Sequence, residues 1–282
     1  MDKPAGPTSH DVVARVRRVL SLRTAGHTGT LDPFATGLLV VLAGRATRIA
    51  RFLDGLPKTY RAVARLGVRT DTDDATGAPV GAPAVITGLG AAEVAAALHA
   101  MVGTYAQRPP AYSAKKVEGV RSYRRARRGE AVALAEVPVT VHAAELLELA
   151  GDRVVFRVTV GTGTYVRALA RDLGERLGVG AHLVELRREA IGSLRVEDAV
   201  PLGDIGPETP LLPLVRVLGH LPTRLLSDGE RADVRHGRRV VGSGAEEQQG
   251  GDTVVLTAQG DVVAVARTQD GFFQPVVVLE AE

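Results

Sequence analysis

The sequence predicts an α+β fold: a larger part in which strands and amphipathic helices mix, followed by a small β-rich domain. Three observations carry this prediction. Segments 60–66 and 153–160 alternate side chains with the period of two expected of a half-buried strand. Segments 9–20, 94–101 and 165–177 place apolar residues at the three- and four-residue spacing of an amphipathic helix. Beyond a Pro-, Gly- and Leu-rich stretch at 201–221, the apolar runs become short and are bounded by turn residues. At roughly 150 residues per domain, a chain of 282 residues corresponds to about two domains.

Taken in order, Thr8 and Ser9 precede Val12, Val13, Val16, Val19 and Leu20, with Arg15, Arg17 and Arg18 off the apolar stripe, which predicts a capped amphipathic helix. Tyr60, Ala62, Ala64 and Leu66 alternate with Arg61, Val63 and Arg65 and predict a strand. Val94, Ala97, Leu98 and Met101 predict a second helix. Val154, Phe156, Val158 and Val160 form the apolar side of another strand. It runs into the turn Gly161-Thr162-Gly163-Thr164 and then a helix carrying Ala168, Leu169, Asp172, Leu173 and Arg176. The stretch 201–221 is expected to be a linker, and the runs 254–256, 262–266 and 276–279 to be the strands of the small domain. No repeat of 20–50 residues is present.

Composition excludes several chemistries. With 45% hydrophobic, 24% charged and 4% aromatic residues, the chain reads as folded and lacks the material for a stacked aromatic platform. It has no cysteine, so thiolate metal sites, disulfides and cysteine nucleophiles are out of reach. No apolar stretch approaches the roughly 18 residues of a membrane span, and Met1-Asp2-Lys3-Pro4 has no signal-peptide pattern, so a cytoplasmic protein without membrane attachment is expected. Only four of its 35 basic residues are lysines, as expected of a high-GC coding sequence, so total arginine says little about partners. Distribution says more: segment 108–128 holds eight basic residues against one acid, Glu118. Such a block is either a solvated face or, in its Pro-Pro-Ala-Tyr-Ser setting, an arm suited to a phosphate backbone.

The densest constellation is Gly26-His27-Thr28-Gly29-Thr30-Leu31-Asp32-Pro33-Phe34-Ala35-Thr36-Gly37. Three glycines and a proline imply a shaped loop, in which Leu-Asp-Pro is either a turn initiator or part of a site. It lacks the Gly-Lys-Ser/Thr and Gly-x-Gly-x-x-Gly signatures of nucleotide cradles, no serine sits in a Gly-x-Ser-x-Gly elbow, and the seven histidines are scattered without metal-ligand spacing. Asp71, Asp73 and Asp74 resemble a metal loop by charge alone, with no glutamate at calcium-loop spacing, so no metal is expected.

These motifs, together with Asp2-Lys3-Pro4 and Gly6, Lys58-Thr59-Tyr60, Arg69-Thr70-Asp71-Thr72-Asp73, Gly163-Thr164-Tyr165-Val166-Arg167 and Leu186-Arg187-Arg188, resemble in order the TruB family of tRNA pseudouridine synthases. The likeness runs over roughly residues 2–200. It implies a mixed, mostly antiparallel sheet with flanking helices at 1–200, a basic tRNA-gripping insertion at about 108–130, the linker 201–221, and a PUA-like RNA-binding domain at 222–282. That last likeness rests on Leu226-Ser227-Asp228-Gly229-Glu230 and Val234-Arg235-His236-Gly237. The implied reaction is conversion of uridine to pseudouridine at position 55 in the T loop of tRNA, with no cofactor and no obligatory protein partner, by a monomer.

Residue by residue, the resemblance implies that Asp32 is the nucleophile, that Tyr60 stacks on the flipped base and assists removal of the C5 proton, and that Arg167 pairs with the catalytic carboxylate. His27 would hold the nucleotide out of its stack, Leu186 would wall the pocket, and Thr30, Arg48, Asp74 and Tyr165 would contact RNA. In the insertion, Lys115, Lys116, Arg121, Arg124 and Arg125 would bind the T-arm stem-loop. The physics agrees: an ordinary aspartate, pKa about 3.9, is ionised at neutral pH and needs no general base, and a guanidinium fixes it further. Extruding a base costs a few kcal/mol of unstacking, offset by stacking and edge hydrogen bonds in the pocket.

Local readings stand beside these. Tyr60 is also an ordinary strand tyrosine, Arg167 a surface pair partner, His27 a loop hydrogen-bonding residue, Arg48 a solvated helix charge, and some of the 71–74 carboxylates turn formers. Sugar attack, base addition and a glycal route all remain open for the chemistry. So do a guide-RNA-dependent relative and an RNA-folding module, whereas thiol-dependent C5 methylation is excluded by the absent cysteine. The family's apolar strand before Asp-Lys-Pro has no counterpart ahead of Met1, which implies either a trimmed start or an exposed sheet edge.

Overall fold

A computed structural model describes residues 1–112, 134–242 and 252–280 in full, and the backbone alone at 116–117 and 120–121. The chain forms two compact units that interleave in sequence: Met1–Pro33, Leu39–Gly55 and Gly192–Glu282 make one, and Phe34–Leu38 with Leu56–Ile191 make the other. Among the described residues no helix is long and apolar enough to cross a membrane.

The second unit is built on a mixed, mostly antiparallel sheet. Its strands run Thr36–Leu38, Ala181–Ile191, Lys58–Leu66, Arg153–Val160, Val137–Ala150 and Gly103–Gln107 across the sheet. All neighbours are antiparallel except Thr36–Leu38, which lies parallel to Ala181–Ile191. The period-two expectation holds at Lys58–Leu66, where Tyr60, Ala62, Ala64 and Leu66 are buried, and Val63 is buried as well because this strand is central. Helices Ala91–His99 and Val166–Arg176 pack on the sheet and touch each other, burying Val94, Leu98, Leu169 and Leu173.

Two glycines fix the packing here. Gly37 has φ +102°, and a Cβ on it would lie 2.3 Å from the carbonyl oxygen and 2.7 Å from the nitrogen of Arg188. Only glycine lets Thr36–Leu38 lie against the strand carrying Arg188, whose Nε donates to the Leu38 carbonyl at 2.7 Å. Gly174 sits inside a helix, where glycine is unfavourable, because a Cβ there would meet the Ala181 nitrogen at 2.2 Å as the chain turns back into the sheet.

In the first unit, helix Ser9–Val19 begins at Thr8, whose side chain accepts from the Asp11 N–H while the Asp11 carboxylate accepts from the Thr8 N–H. Val12 and Val16 pack with Leu39, Leu202 and Ile205. The stretch read as a linker is therefore folded: Leu202 and Ile205 join this core, and Val217 and Leu218 are buried as well. Its prolines and glycines suggested bare chain, but its leucines supply apolar area to bury.

The C-terminal part is β-rich, with sheet order Thr223–Leu225, Thr253–Ala258, Asp261–Gln269, Phe272–Val278, Val240–Val241. Helix Asp228–Arg235 closes its core of Leu226, Val234, Leu256, Ala264 and Phe273. Ser227 and Glu230 form a second capping box, and the Arg224 guanidinium, with the Ser227 N–H and hydroxyl, holds the Glu230 carboxyl down at about 2.

Gly37→Ala should destabilise the protein by about 3 kcal/mol through overpacking. Gly151→Ala, at φ +60° with open space around it, should cost about 1 kcal/mol. Chemical denaturation of both variants checks the difference, and equal losses would deny the close approach at Arg188.

Candidate functional site

Within the first unit, the Gly26–Gly37 motif opens as strand Ala25–Thr28, paired antiparallel to Val40–Ala43 with His27 opposite Val41. The residues on either side of Asp32 are then pinned. The buried Ser9 hydroxyl accepts from the Leu31 N–H at 2.9 Å and donates to the Leu31 carbonyl at 3.2 Å. The Pro33 carbonyl accepts from the Gly6 N–H at 2.8 Å and from the fully buried Lys3 ammonium at 3.1 Å. Asp32, half-buried, thus projects from a backbone clamped one residue before it and one after it.

Thr30 is exposed in the same loop, and His27 meets His10 edge-on at 5.7 Å between ring centroids. Arg48 is exposed and donates to the Val278 carbonyl at 2.8 Å, on the last long strand of the C-terminal sheet. Sequence reasoning missed the clamping roles of Lys3 and Ser9. Lys3 stood in a recognised motif without an assigned task, and Ser9 looked like a helix-start residue.

Within the second unit, Tyr60 and Arg188 are direct cross-strand partners, so their side chains share one face of the sheet. Leu186, opposite Ala62, lies on that face too. Tyr60 and Leu186 are each 7% exposed, and the Arg188 guanidinium, on a side chain that is almost wholly buried, stands 6.0 Å from the Tyr60 ring centroid. This cation over the ring was not anticipated, because nothing local distinguishes Arg188 from its neighbour Arg187.

Arg167 lies in the first turn of helix Val166–Arg176. It donates to Asp74 Oδ2 at 3.2 Å, to the Thr72 carbonyl at 3.1 Å and to the Tyr112 carbonyl at 3.1 Å. The pair is deeply buried, with side-chain exposures of 7% and 5%. Asp74 Oδ1 accepts from the Thr72 hydroxyl at 2.8 Å and from the Thr76 N–H at 2.9 Å, so both its oxygens are engaged.

The acidic turn divides its labour. Asp71 Oδ1 accepts from the Ala78 N–H and shapes the turn, Asp73 pairs with Arg171 at 2.8 Å, and Asp74 pairs with Arg167. Burial raises the Asp73 carboxyl above its ordinary value despite the neighbouring arginines. Tyr165 occupies the helix N-cap position, and the fully buried Gln107 clamps it: Gln107 Oε1 accepts from the Tyr165 N–H at 2.9 Å and Nε2 donates to its carbonyl at 3.3 Å.

Of the insertion residues, Lys116 and Arg121 sit opposite each other on the strand pair Lys116–Val117 and Val120–Arg121. Lys115, Arg124 and Arg125 lie outside the described residues. Among the described residues, no group of three or more His, Asp or Glu side chains is placed to hold a metal ion.

Comparison with known proteins places this geometry in context. Residues 17–166 match the family model of the TruB family pseudouridylate synthase N-terminal domain, and residues 167–208 match that of the tRNA pseudouridylate synthase B C-terminal domain. The chain is 46% identical to tRNA pseudouridine synthase B of Thermobifida fusca (strain YX), over 99% of this chain and 96% of that one. It is 42% identical to tRNA pseudouridine synthase B of Synechococcus sp. (strain WH7803), over 100% and 96%. A chain from the solved structure of an H/ACA RNP bound to a substrate RNA containing 2'-deoxyuridine superimposes with a TM-score of 0.74 at 27% identity, covering 99% of this chain and 84% of that one.

Removing Asp74 takes from the buried Arg167 guanidinium the carboxylate it meets at 3.2 Å. Asp74→Ala should therefore cost about 3–5 kcal/mol, and the double variant Asp74→Ala/Arg167→Met should recover much of that loss. Urea unfolding of the wild type and both variants checks this; a single-variant loss under about 1 kcal/mol would mean the pair behaves as a solvated one.

Proposed function

Because the chain belongs to the TruB family of pseudouridine synthases, a family of isomerases acting on tRNA, we propose that it converts uridine 55 in the T loop of tRNA to pseudouridine. The observation that carries this reading is the clamped backbone on both sides of Asp32, a half-buried carboxylate within the segment that matches the family. A nucleophile must be held in a near-attack position, and fixed main-chain neighbours on both sides set where its side chain starts from.

In this reading Asp32 is the nucleophile. The C1′–N1 bond of uridine breaks, the base turns over, C1′ bonds to C5, the C5 proton leaves to solvent and N1 regains a proton. Atoms and electrons balance without any redox or group-transfer cofactor. Tyr60 stacks on the flipped base and assists loss of the C5 proton, Leu186 walls the pocket, and His27 keeps the nucleotide out of its stack. Arg167 orients charge at the reacting centre, with Asp74 holding it in place. Thr30, Arg48 and Tyr165 contribute RNA contacts.

The remaining assignments follow the same reading. Residues 1–200 carry catalysis, residues 222–282 form a PUA-like RNA-binding domain, and 201–221 joins them. The insertion grips the T arm through Lys115, Lys116, Arg121, Arg124 and Arg125. The enzyme works as a monomer in the cytoplasm without a protein partner. The likeness to an H/ACA RNP chain raises a guide-dependent alternative, but the 46% full-length identity to tRNA pseudouridine synthase B and the long basic insertion favour the stand-alone form.

Tritium should be released from a C5-tritiated T-arm stem-loop by the wild type and not by Asp32→Asn at equal, verified RNA binding. Release by Asp32→Asn at the wild-type rate would remove Asp32 from the chemistry. If about six phosphates are contacted, affinity for the same RNA should drop about 10³-fold between 50 and 200 mM salt, measurable by filter binding; a flat salt dependence would remove the basic insertion from RNA recognition.

A further inference from the structure

We propose that Arg171 is a positioning residue for this isomerisation: it ties the root of the basic insertion to the turn that holds Asp74 against Arg167. The proposal rests on the pseudouridine synthase reading and adds a residue to it that touches neither nucleotide nor nucleophile.

Arg167 and Arg171 are four residues apart on helix Val166–Arg176 and so lie on the same face. Each reaches one of two consecutive carboxylates in a single turn, Arg167 to Asp74 and Arg171 to Asp73. Each also donates to a main-chain carbonyl in the segment that follows strand Gly103–Gln107 and opens the basic insertion: Arg167 to Tyr112 at 3.1 Å, Arg171 to Arg108 at 2.7 Å. Helix, acidic turn and insertion root are thus joined twice, by two guanidinium groups one helical turn apart.

Arg171 is braced at all three of its guanidinium nitrogens. Its Nη1 donates to Asp73, its Nη2 to the Arg108 carbonyl and to Asp172, and its Nε to Asp172. The other oxygen of Asp172 accepts from the Tyr105 hydroxyl at 2.9 Å, and Gln107 Nε2 donates to that hydroxyl at 2.9 Å while clamping Tyr165. The chain of contacts therefore runs from the residue that starts the helix, through Gln107, Tyr105, Asp172 and Arg171, to Asp73 and the turn.

Two features separate this network from ordinary surface pairing. Asp73 adopts φ +61°, a conformation side-chain-bearing residues rarely take, and its own carboxylate faces Arg171 while that of the next residue, Asp74, faces Arg167. The Arg171 and Asp73 side chains are only 14% and 13% exposed, and buried ion pairs add little net stability, so their value lies in fixing geometry. Movement of the insertion root when RNA binds would act on the Arg108 carbonyl, hence on Arg171 and Asp73, and through the adjacent peptide on Asp74.

The test uses the full chain and the C5-tritiated T-arm stem-loop, with RNA affinity measured separately. A cavity of about 470 Å³ borders Arg171, Asp172 and Tyr105, so a shortened side chain at 171 meets water and the fold should survive. Arg171→Gln should lower kcat by about 10²-fold, the penalty of displacing a catalytic group by about 1 Å, with KM and Kd within about twofold of wild type. Arg171→Lys, which restores the charge without the fork, should regain only part of that loss. Tyr105→Phe, which removes a single hydroxyl, should lower kcat about tenfold and serves as the readout if Arg171→Gln does not fold. Unchanged kcat in Arg171→Gln or Tyr105→Phe, or weakened binding at constant kcat, would overturn the positioning role. A wild type that binds RNA and releases no tritium would overturn the functional reading itself.

Discussion

The second unit is organised around the buried pair between Arg167 and Asp74. Ninety-three residues separate them in sequence, and neither charge has water to return to. Burying such a pair stabilises little by itself, since desolvation offsets most of the Coulombic gain. What it does is fix position: Arg167 reaches Asp74, the Thr72 carbonyl and the Tyr112 carbonyl together only if the acidic turn, the start of its own helix and the segment around Tyr112 are all in place at once. The surrounding bonds serve that condition. Ala75 N–H donates to the Leu183 carbonyl and Leu183 N–H to the Asp73 carbonyl, stitching the turn to the sheet, while Gln107 fixes the helix start at Tyr165.

The first unit holds its carboxylate by a different device. Around Asp32 the clamps act on the main chain, through Ser9 on Leu31 and through Gly6 and Lys3 on Pro33. Asp74, buried with both oxygens engaged, suits an orienting role, whereas Asp32 stands half-buried on a fixed main chain, which suits a group that must meet a substrate. Preorganisation of this kind is what a catalytic site requires of its scaffold.

Much of this was legible in the sequence because much of it is local. The Thr8 cap with its valine stripe specifies helix Ser9–Val19, and the alternation at 60–66 and 153–160 specifies paired strands, since both signals are periods read within a few residues. What was not legible is long-range. Asp73 and Arg171 lie 98 residues apart, so the acidic turn showed only charge and resembled a metal loop until its arginine partners were placed. Arg48 reads as a solvated helix charge or an RNA contact, and its bond to the Val278 carbonyl spans 230 residues. The leucines of 201–221 show no helical or strand period among the prolines and glycines, so their burial depends on partners far off in sequence such as Val12 and Leu39, and the interleaving of the two compact units follows from no local pattern.

The central claim is that this chain, alone, makes pseudouridine in the T loop of tRNA. It is tested most directly by mapping pseudouridine through chemical derivatisation and reverse transcription of unmodified full-length tRNA incubated with the purified protein and nothing else. The account predicts one new pseudouridine, at position 55, with no guide RNA, partner protein or cofactor added. Folded protein that binds the tRNA and leaves that uridine unchanged would contradict it.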